Sequence, residues 1–441
     1  MIGDVGIGTV LIGTVLIGTV LIGTVLPGTA ALRVAGAVDE ARADELAQLL
    51  EVWCEELDNF LAAIARARRK HVITRALSDA LKHPVLENGI SEALKALDDE
   101  VHFDDLLLVY RHEEDIEGKS LNYRVIKEGK LLHDSLAQTG LLVDDELRGR
   151  LLEMLLGEDT TVPQHFGIRG YREEVLINGI REQHVVGRVL VARRSGEFNT
   201  FDRDLLERFA DYLRQRIVDY NHQWKVLSLT FPRDVVVRLL SEEGYAERYL
   251  APRERDVAIL YCDISGFTRL SEQVLGEPAL IGELVDTWSA RAVDLVWQNG
   301  GAFDKMVGDC IIGLWGPPFF EWTPAETCAR AARAALAIRD YSRTLSTVLP
   351  SLRDVDFPVG VATGLNYCPL FVGRFGPNED FTGFSSGMNN TARLQGVASR
   401  DEILCMDRFV ATLNAPERFG PEAQAAVKNV AEPLVYRGLL S

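Results

Sequence analysis

Two aspartates each follow or adjoin a short apolar run that is typical of a buried strand. Asp263 ends the run Val257–Cys262, and Asp309 lies in the turn between a strand that ends at Met306 and the strand Cys310–Trp315. A sheet that pairs these segments would place the two carboxylates at adjacent strand ends. Two carboxylates this close repel each other unless cations lie between them. The pair therefore indicates a site for divalent metal ions.

The same two residues also allow a structural interpretation. Asp263 alone would be expected to cap the helix that follows it, and Asp309 alone to form a hairpin turn. The presence of both, each beside an apolar run, favours the metal site. Mg²⁺ takes few protein carboxylates and completes its shell with substrate phosphates, and two ions side by side can activate an attacking hydroxyl and neutralise leaving oxygens. A nucleoside triphosphate would suit such a site.

Two further groups of residues are suited to phosphate contacts. Gly266, Phe267 and Thr268 form a turn that opens a helix, and the free N–H groups of a helix N-terminus bind anions. Asn389 and Arg393 are four residues apart, so both side chains leave one helix in the same direction. An arginine fork reaches several phosphate oxygens as charge builds on them in a transition state. The alternative for this pair is a solvated polar helix face.

Three motifs resemble those of the class III nucleotidyl cyclase catalytic domain. They are YCDISGFTRLSE (261–272), FDKMVGD (303–309) and DFTGFSSGMNNTARLQ (380–395), and they occur in the family's order. The resemblance covers about residues 233–441. It implies an α+β architecture in which residues 232–441 form a ferredoxin-like (βαββαβ) catalytic domain.

The resemblance assigns roles to the residues around the aspartate pair. It implies that Asp263 and Asp309 hold two divalent ions, Mg²⁺ or Mn²⁺, with the carbonyl oxygen of Ile264 completing one shell. Lys305 and Thr382 match the residues that read the purine edge. A lysine donates well to the adenine N1, and a hydroxyl can accept from the 6-amino group. Guanylyl cyclases have glutamate and cysteine at these two places, so the resemblance implies ATP as substrate.

The remaining matches concern the ribose and the phosphates. Asn389 matches the family's ribose-orienting asparagine, Arg393 its transition-state arginine, and Lys428 a late lysine that grips the β- and γ-phosphates; a solvated surface lysine is the alternative for Lys428. The implied reaction is conversion of ATP to 3′,5′-cyclic AMP and pyrophosphate by an adenylyl cyclase. In the family the metal aspartates and the Asn/Arg helix come from opposite subunits. We therefore expect a head-to-tail homodimer with two composite sites.

The sequence departs from the family pattern in four places. Residues 385–389 read SSGMN where GDTVN is usual, Asn390 replaces an apolar residue, residues 364–373 form a longer stretch than usual, and KN replaces KG at 428–429. None of these changes removes a catalytic group. They leave open a weak or inactive nucleotide-binding signalling protein, and a guanylyl cyclase is a further alternative.

Residues 71–201 resemble a GAF domain, the small-molecule sensor fold. The resemblance rests on two strands, Phe103–Arg111 and Val185–Arg193, followed by the run Ser195–Asp204, which opens a helix with Thr200 or Asp202 as its N-cap. The signature of cyclic-nucleotide-binding GAF domains is incomplete, and no cysteine lies between residues 54 and 262 to hold a bilin. We expect a regulatory ligand of unknown chemistry.

Two helical segments flank this sensor. Residues 38–70 place apolar side chains at spacings of three and four, which predicts a helix that packs on its own domain or on a second copy. Residues 202–231 carry a heptad-like stripe from Leu206 to Leu227. The stripe favours a parallel two-stranded coil that joins sensor to catalytic domain across a dimer. The alternative is an amphipathic helix that covers the sensor sheet.

Composition limits the remaining possibilities. The chain has 441 residues, 47% of them hydrophobic and 25% charged, which suits a globular protein of two or three domains. A formal charge of −18 argues against a nucleic-acid partner, since phosphate binding needs clustered Lys and Arg. The six cysteines have no CxxC spacing and predict neither a zinc site nor disulfides. We expect a cytoplasmic protein with free thiols.

Residues 1–37 are unusual, because the pentapeptide IGTVL occurs four times between Ile7 and Leu26. The uncharged stretch Gly6–Leu32 is long enough to cross a bilayer. The missing basic flank, the acidic Asp4 and the many glycines favour instead an expanded repeat without a fold of its own. Membrane association through residues 6–32 is therefore not favoured.

Overall fold

The computed structural model describes residues 15–16, 19–25, 28–32, 40–111, 121–135, 145–178, 184–194, 196–353, 357–427 and 432–440. The chain divides into two compact units. The first comprises Met1–His83 and Asn88–Ile217, and the second comprises Pro84–Glu87 and Val218–Ser441. Residues 218–231, which the sequence assigned to a linker, thus belong to the second unit.

The described residues of the IGTVL tract form three strands: β1 Val15–Leu16, β2 Thr19–Val25 and β3 Gly28–Leu32. They make an antiparallel sheet in the order β1-β2-β3. This differs from the expected repeat without a fold of its own. Every repeat contains the β-branched residues Ile, Thr and Val, which fit a pleated strand better than a helix. Within the described ranges, no helix is both long and apolar enough to span a membrane.

The sensor segment alternates helices and antiparallel strands. The elements are α1 Glu40–Leu81, α2 Leu86–Val101, β4 Asp105–Tyr110, β5 Asn122–Lys127, β6 Lys130–Asp134, α3 Asp145–Leu156, α4 Val162–His165, β7 Arg172–Asn178, β8 His184–Ala192 and α5 Thr200–Ser228. The strands form one sheet in the order β6-β5-β4-β8-β7. The two strands predicted from the sequence are confirmed as β4 and β8. All six residues of β4 are buried. Five are apolar, and the carboxylate of the sixth, Asp105, is paired with Lys127 at 2.7 Å.

Helix α5 begins with a reciprocal cap. The backbone N–H of Asn199 donates to the Asp202 carboxylate at 3.1 Å, and the N–H of Asp202 donates to the Asn199 side chain at 3.0 Å. The carboxylate of Asp202 also accepts from Arg193 at 3.2 Å. Asn199 is thus the capping residue, rather than Thr200 or Asp202. The Phe-x-x-x-Asp motif of this segment has a structural function.

The apolar stripe of α5 is buried within the chain. Six of its seven members are 0–6% exposed, and Trp224 is partly exposed; the six are Leu206, Phe209, Leu213, Ile217, Tyr220 and Leu227. The expected coiled coil over residues 202–231 is not confirmed. The alternative of an amphipathic helix fits better. On α1, in contrast, Trp53 is 71% and Phe60 61% exposed.

The second unit contains the expected βαββαβ order. Its elements are α6 Arg233–Leu240, β9 Arg253–Ile264, α7 Phe267–Arg269 continued by a π-helical turn Leu270–Leu275, α8 Pro278–Gln298, β10 Ala302–Val307, β11 Cys310–Trp315, α9 Pro324–Ser342, α10 Leu345–Val348, β12 Val361–Phe375, β13 Asp380–Phe384, α11 Ser386–Val397, β14 Ile403–Met406, α12 Asp407–Leu413, β15 Phe419–Ala425 and β16 Leu434–Leu439. The sheet runs β10-β11-β9-β12-β14-β16-β15, and β13 pairs with β12.

Helices α8 and α9 pack on the sheet through a dry core. Trp288 of α8 is fully buried, and its indole N–H donates to the hydroxyl of Ser342, the last residue of α9, at 3.0 Å. Trp315 ends β11, and its indole N–H donates to the carbonyl of Asn299 at 3.0 Å. Both large side chains therefore bury their rings while their N–H groups remain satisfied. This packing fixes the strands that carry the candidate site.

Helix α11 lies directly on β12 because two glycines remove the side chains between them. A Cβ on Gly364 of β12 would come within 2.7 Å of the Thr391 carbonyl oxygen, and one on Gly387 of α11 would overlap the Sγ of Cys368. The hydroxyl of Ser385 caps the helix by accepting from the N–H of Met388 at 3.3 Å. The altered SSGMN segment thus supplies a cap and a close approach.

We predict that Gly387→Ala destabilises the second unit by about 1–3 kcal/mol, since the methyl group must displace Cys368. Gly396→Ala is the matched control on the same helix, because a Cβ there meets nothing within 4 Å. Adding Cys368→Ala should recover part of the loss. Thermal or denaturant unfolding measures all three variants. Equal stability of the Gly387 and Gly396 variants would contradict this account of α11.

Candidate active site

The two aspartates of the predicted metal site are neighbours in the sheet. Asp263 is the penultimate residue of β9 and is in register with Cys310, the first residue of β11. Asp309 immediately precedes Cys310 in the β10–β11 turn, where Gly308 takes φ +64°. As the sequence predicted, strand pairing brings the two carboxylates together.

The carboxylate pair is electrostatically unfavourable without a cation. Burial first, and then the adjacent Asp263 carboxyl, together raise the pKa of Asp309 to about 7. Oδ1 of Asp263 and Oδ2 of Asp309 are buried, and neither has a hydrogen-bond partner among the described residues. The side-chain amide of Gln395 donates to the other oxygen, Oδ2 of Asp263, at 3.4 Å, and the backbone N–H groups of Ile264 and Asp309 lower the pKa of the Asp309 carboxyl to a smaller extent. Two buried oxygens without donors are suited to a bound cation.

The available donors fit a hard divalent cation. The site offers two carboxylates and the end of β9, where the backbone of Ile264 lies between Asp263 and the following turn. Within the described part of the chain, no cluster of three or more His, Cys, Asp or Glu residues surrounds a common point. Oxygen donors in this small number suit Mg²⁺ or Mn²⁺, which retain water and substrate oxygens, better than a structural zinc site.

The turn predicted to bind phosphate follows shortly after Asp263. Gly266 takes φ +74° and begins α7, which continues as the π-helical turn Leu270–Leu275. Phe267 packs against the core, whereas Thr268 is exposed. The N–H of Ser265 donates to the carbonyl of Gly360 at 2.9 Å and holds the turn against the chain segment before β12. The helix N-terminus therefore lies beside the carboxylate pair, as expected for an anion site.

The two predicted purine-reading residues border one cavity of about 650 Å³. Lys305 is on β10, and Thr382 is on the short strand β13. Aromatic side chains form much of the remaining wall: Phe231, Phe303, Phe375, Phe381 and Phe384. A flat apolar cavity with a cation and a hydroxyl at its wall is suited to a nucleobase.

Asp304 also borders this cavity, and sequence reasoning did not single it out. The register of β10 against β11 shifts between Phe303 and Lys305, so that Asp304 lies in a β-bulge. Its side chain is 0% exposed, against 44% for Lys305, and the two charged groups are 3.8 Å apart. Burial raises the pKa of Asp304, whereas the Thr382 hydroxyl and the charge of Lys305 lower it to a smaller extent.

Asn389 and Arg393 leave α11 on another side from the carboxylate pair. The side chain of Arg393 donates to Oδ1 of Asn390 at 3.0 Å, and Asn389 is exposed. Gln395, which does reach Asp263, is two residues after Arg393 and hence about 200° around the helix. The structure therefore places the expected ribose and transition-state residues on one helix but does not bring them to the aspartates of the same chain. Lys428 lies outside the described residues.

We predict that Asp309→Asn raises the Tm of the metal-free protein at pH 8 by about 2–4 °C and has little effect at pH 5. An aspartate whose pKa is raised in the folded state stabilises the fold while protonated, and this contribution is lost as pH rises from about 4 to about 7. Asp294→Asn, at an exposed carboxylate of α8, is the control. Mn²⁺ should raise the Tm of the wild type at pH 8 but not that of Asp309→Asn. If the Tm difference between the wild type and Asp309→Asn does not change with pH, the ionisation of Asp309 is not coupled to stability and the prediction is wrong.

Comparison with known proteins places these observations in a family. Residues 250–435 match the family model described as the adenylate and guanylate cyclase catalytic domain. An adenylate cyclase of Anabaena cylindrica is 27% identical over 176 residues, 38% of this chain and 33% of the relative. One of Streptomyces griseus is 29% identical over 195 residues, 43% of this chain and 39% of the relative. The matched region thus spans little more than a third of these relatives.

Solved structures of cyclase domains are similar over the same region. The adenylyl cyclase CyaB from P. aeruginosa is 24% identical, covers 44% of this chain and 97% of its own, and has a TM-score of 0.40. The guanylyl cyclase Cya2 is 20% identical, with 43% and 93% coverage and a TM-score of 0.39. At these TM-scores the assignment rests on the sequence matches. Residues 250–435 are accordingly a class III adenylate and guanylate cyclase catalytic domain.

Proposed function

We propose that this chain is an adenylyl cyclase that converts ATP to 3′,5′-cyclic AMP and pyrophosphate. The observation that carries the proposal is the buried pair Asp263–Asp309, whose unpartnered oxygens lie beside the phosphate-binding turn. Lys305 and Thr382, which border one aromatic cavity, support ATP as the substrate. The two relatives compared above are both adenylate cyclases, which agrees with this choice.

The chemistry divides among groups of this chain. Asp263, Asp309 and the carbonyl of Ile264 would hold two divalent ions, which when bound favour ionisation of the ribose 3′-hydroxyl and neutralise the leaving pyrophosphate. The N–H groups of the turn at Gly266–Thr268 hold phosphate oxygens. Lys305 donates to the adenine N1, and Thr382 accepts from the 6-amino group. The 3′-oxygen loses its proton and bonds to the α-phosphorus as the bond to pyrophosphate breaks.

We further propose that each complete site needs two copies of the chain. Counted around α11, Arg393 lies about 200° and Asn389 about 240° from Gln395, the residue of that helix that contacts Asp263. A second copy related by a two-fold axis can bring its own Arg393 to the phosphates and its Asn389 to the ribose, and the first copy does the same in return. Lys428 would add a cation for the β- and γ-phosphates.

The first unit would act as a GAF-like sensor for a small molecule. Helix α5 is continuous from Thr200 to Ser228, and its last turns and the residues after it, 226–231, form part of the cavity wall. A ligand that shifts α5 would therefore change the shape of the nucleotide cavity. Equal activity of the full chain and of residues 202–441, under every ligand condition, would contradict this regulation.

One observation favours a second candidate function. The segment before Asn389 is altered, and Arg393 is engaged by Asn390, a residue that replaces an apolar one of the family pattern. An arginine held by its own helix is less free to reach phosphate, so the chain could bind ATP and signal without turnover. ATP binding by a folded dimer that releases no cyclic nucleotide would support this alternative.

Complementation between two inactive variants tests the composite site. Asp263→Ala and Arg393→Ala should each lower activity at least about 100-fold, because each removes charge that stabilises the transition state. Mixed and allowed to exchange subunits, they should recover about a quarter of the wild-type activity, since half of the dimers are mixed and each of those has one intact site.

The control is a mixture of Asp263→Ala and Asp309→Ala, in which both lesions fall in the same half-site. This mixture should stay inactive. Differently tagged chains show whether mixed dimers form. If the wild type is active but mixed dimers of Asp263→Ala and Arg393→Ala are inactive, each chain completes its own site.

A further inference from the structure

Helix α1 carries an apolar face that the described residues leave uncovered. Six large side chains, each more than 40% exposed, form this 49–64 face: Leu49, Trp53, Leu57, Phe60, Leu61 and Ile64. Strand β2 lies against α1 without covering them. Further along the same helix, Ile73 and Leu77 are buried. The helix is thus held at its C-terminal half, and an exposed apolar face of this extent marks an interaction surface.

The spacing of the exposed side chains indicates what kind of surface they fit. Trp53, Leu57, Phe60, Ile64 and Ala67 follow one another in steps of four and three. This is the spacing of a seam along which two helices pack side by side over several turns. The face therefore fits a second long helix with the same pattern, and a second copy of α1 is such a helix.

The charges of α1 are separated along its length. Residues 40–58 contain seven Asp or Glu residues and a single Arg, whereas residues 59–78 contain five Lys or Arg residues and no acid. Two copies that run in the same direction would place acid beside acid and base beside base. Two copies that run in opposite directions place unlike charges together. Such a self-complementary surface is what a two-fold interface requires, and flanking charges set the orientation of paired helices.

We propose that α1 is an interface between two copies of this chain, which pair through the 49–64 face as antiparallel helices. A two-fold axis beside Ala62 places Leu57 opposite the partner's Ala67 and Phe60 opposite the partner's Ile64. The seam residues of the two helices then meet layer by layer. This interface is separate from the composite catalytic site proposed above and does not depend on it.

The same register brings unlike charges together on both sides of the seam. Glu56 comes beside the partner's Arg66, and Asp58 comes beside the partner's Arg68. Both arginines are exposed and have no ion pair among the described residues, whereas the next two cations along the helix already pair within the first unit, at 2.7 and 2.6 Å. Two-fold symmetry forms each of these contacts twice.

Cysteine cross-linking in the full chain tests the direction and the register together. Leu57→Cys and Ala67→Cys are introduced singly and together into a chain that carries Cys54→Ala, which removes the native thiol of α1. In the proposed pair the two introduced thiols meet across the interface. Each single thiol lies about 15 Å along the helix from its own copy, and a disulfide needs Cα atoms within about 7 Å. Mild oxidation should link most chains of the double variant and leave both single variants at the background of the Cys54→Ala protein.

The other outcomes of this experiment overturn the proposal. If Leu57→Cys alone cross-links as fully as the double variant, the helices pair in the same direction. If none of the three variants cross-links above the background, α1 does not pair with a second copy, and another segment of the chain or a different protein covers the face. Neither result bears on the proposed reaction, because cyclic nucleotide production is measured separately.

A charge placed in the seam provides a second test. In the double-cysteine protein, Phe60→Glu should slow cross-linking at least about 10-fold, because pairing then buries a carboxylate. Asn59→Glu is the matched control, since it adds the same charge at the neighbouring exposed residue, outside the seam. Equal cross-linking rates of these two variants would contradict a role of the 49–64 face in pairing.

Charge reversal tests what sets the direction of pairing. Arg66→Glu together with Arg68→Glu should slow cross-linking of the double-cysteine protein about 10-fold at low salt, because acids then face acids. Adding Glu56→Arg and Asp58→Arg should restore the rate, since unlike charges again face each other. A rate that stays low in this fourfold variant would contradict the proposed register.

Discussion

The repulsion between Asp263 and Asp309 is the constraint on which the rest of the catalytic unit depends. Two carboxylates at adjacent strand ends, half-buried and short of donors, are costly in the empty protein, and burial with mutual repulsion raises the pKa of Asp309 to about 7. Divalent cations remove this cost. The same charge pattern therefore supports the proposed metal site and suits a substrate that brings its own anionic oxygens.

The remainder of the unit keeps these carboxylates in place. Pairing of β9 with β11 and β12 fixes Asp263 from both sides, and the buried indoles of Trp288 and Trp315 tie the helices to that sheet. Two glycines let α11 lie directly on β12, and this close packing fixes the distance from the sheet at which α11 carries Asn389 and Arg393. The nucleotide cavity adjoins this framework through β10 and β13. Strands thus carry the residues proposed to contact metal and base, and one helix carries the residues proposed to act on a second copy.

Sequence reasoning predicted the parts of the site that follow from strand periodicity and from local motifs. Apolar runs before Asp263 and after Asp309 were enough to predict their proximity, because only one pairing buries both runs. Asp304, which borders the same cavity as Lys305, was missed because strand periodicity assigns neighbouring residues to opposite faces; the bulge that interrupts this periodicity depends on the pairing with β11. The available signal was the first aspartate of the FDKMVGD motif, which is Asp304 itself. The coiled coil expected from the stripe of α5 is not confirmed, since spacing alone does not distinguish a partner helix from the chain's own core.

The account's central claim is that this carboxylate site cyclises ATP. The most direct measurement is product analysis of the purified full chain with ATP or GTP in Mn²⁺ and in Mg²⁺, with cyclic nucleotide and pyrophosphate both quantified. The account predicts that ATP gives cyclic AMP and pyrophosphate in equal amounts and only when metal is present. The yield of these products should exceed the yield of the corresponding products from GTP. Nucleoside diphosphate and phosphate as the products, or no turnover by a dimer that binds ATP and metal, would contradict it.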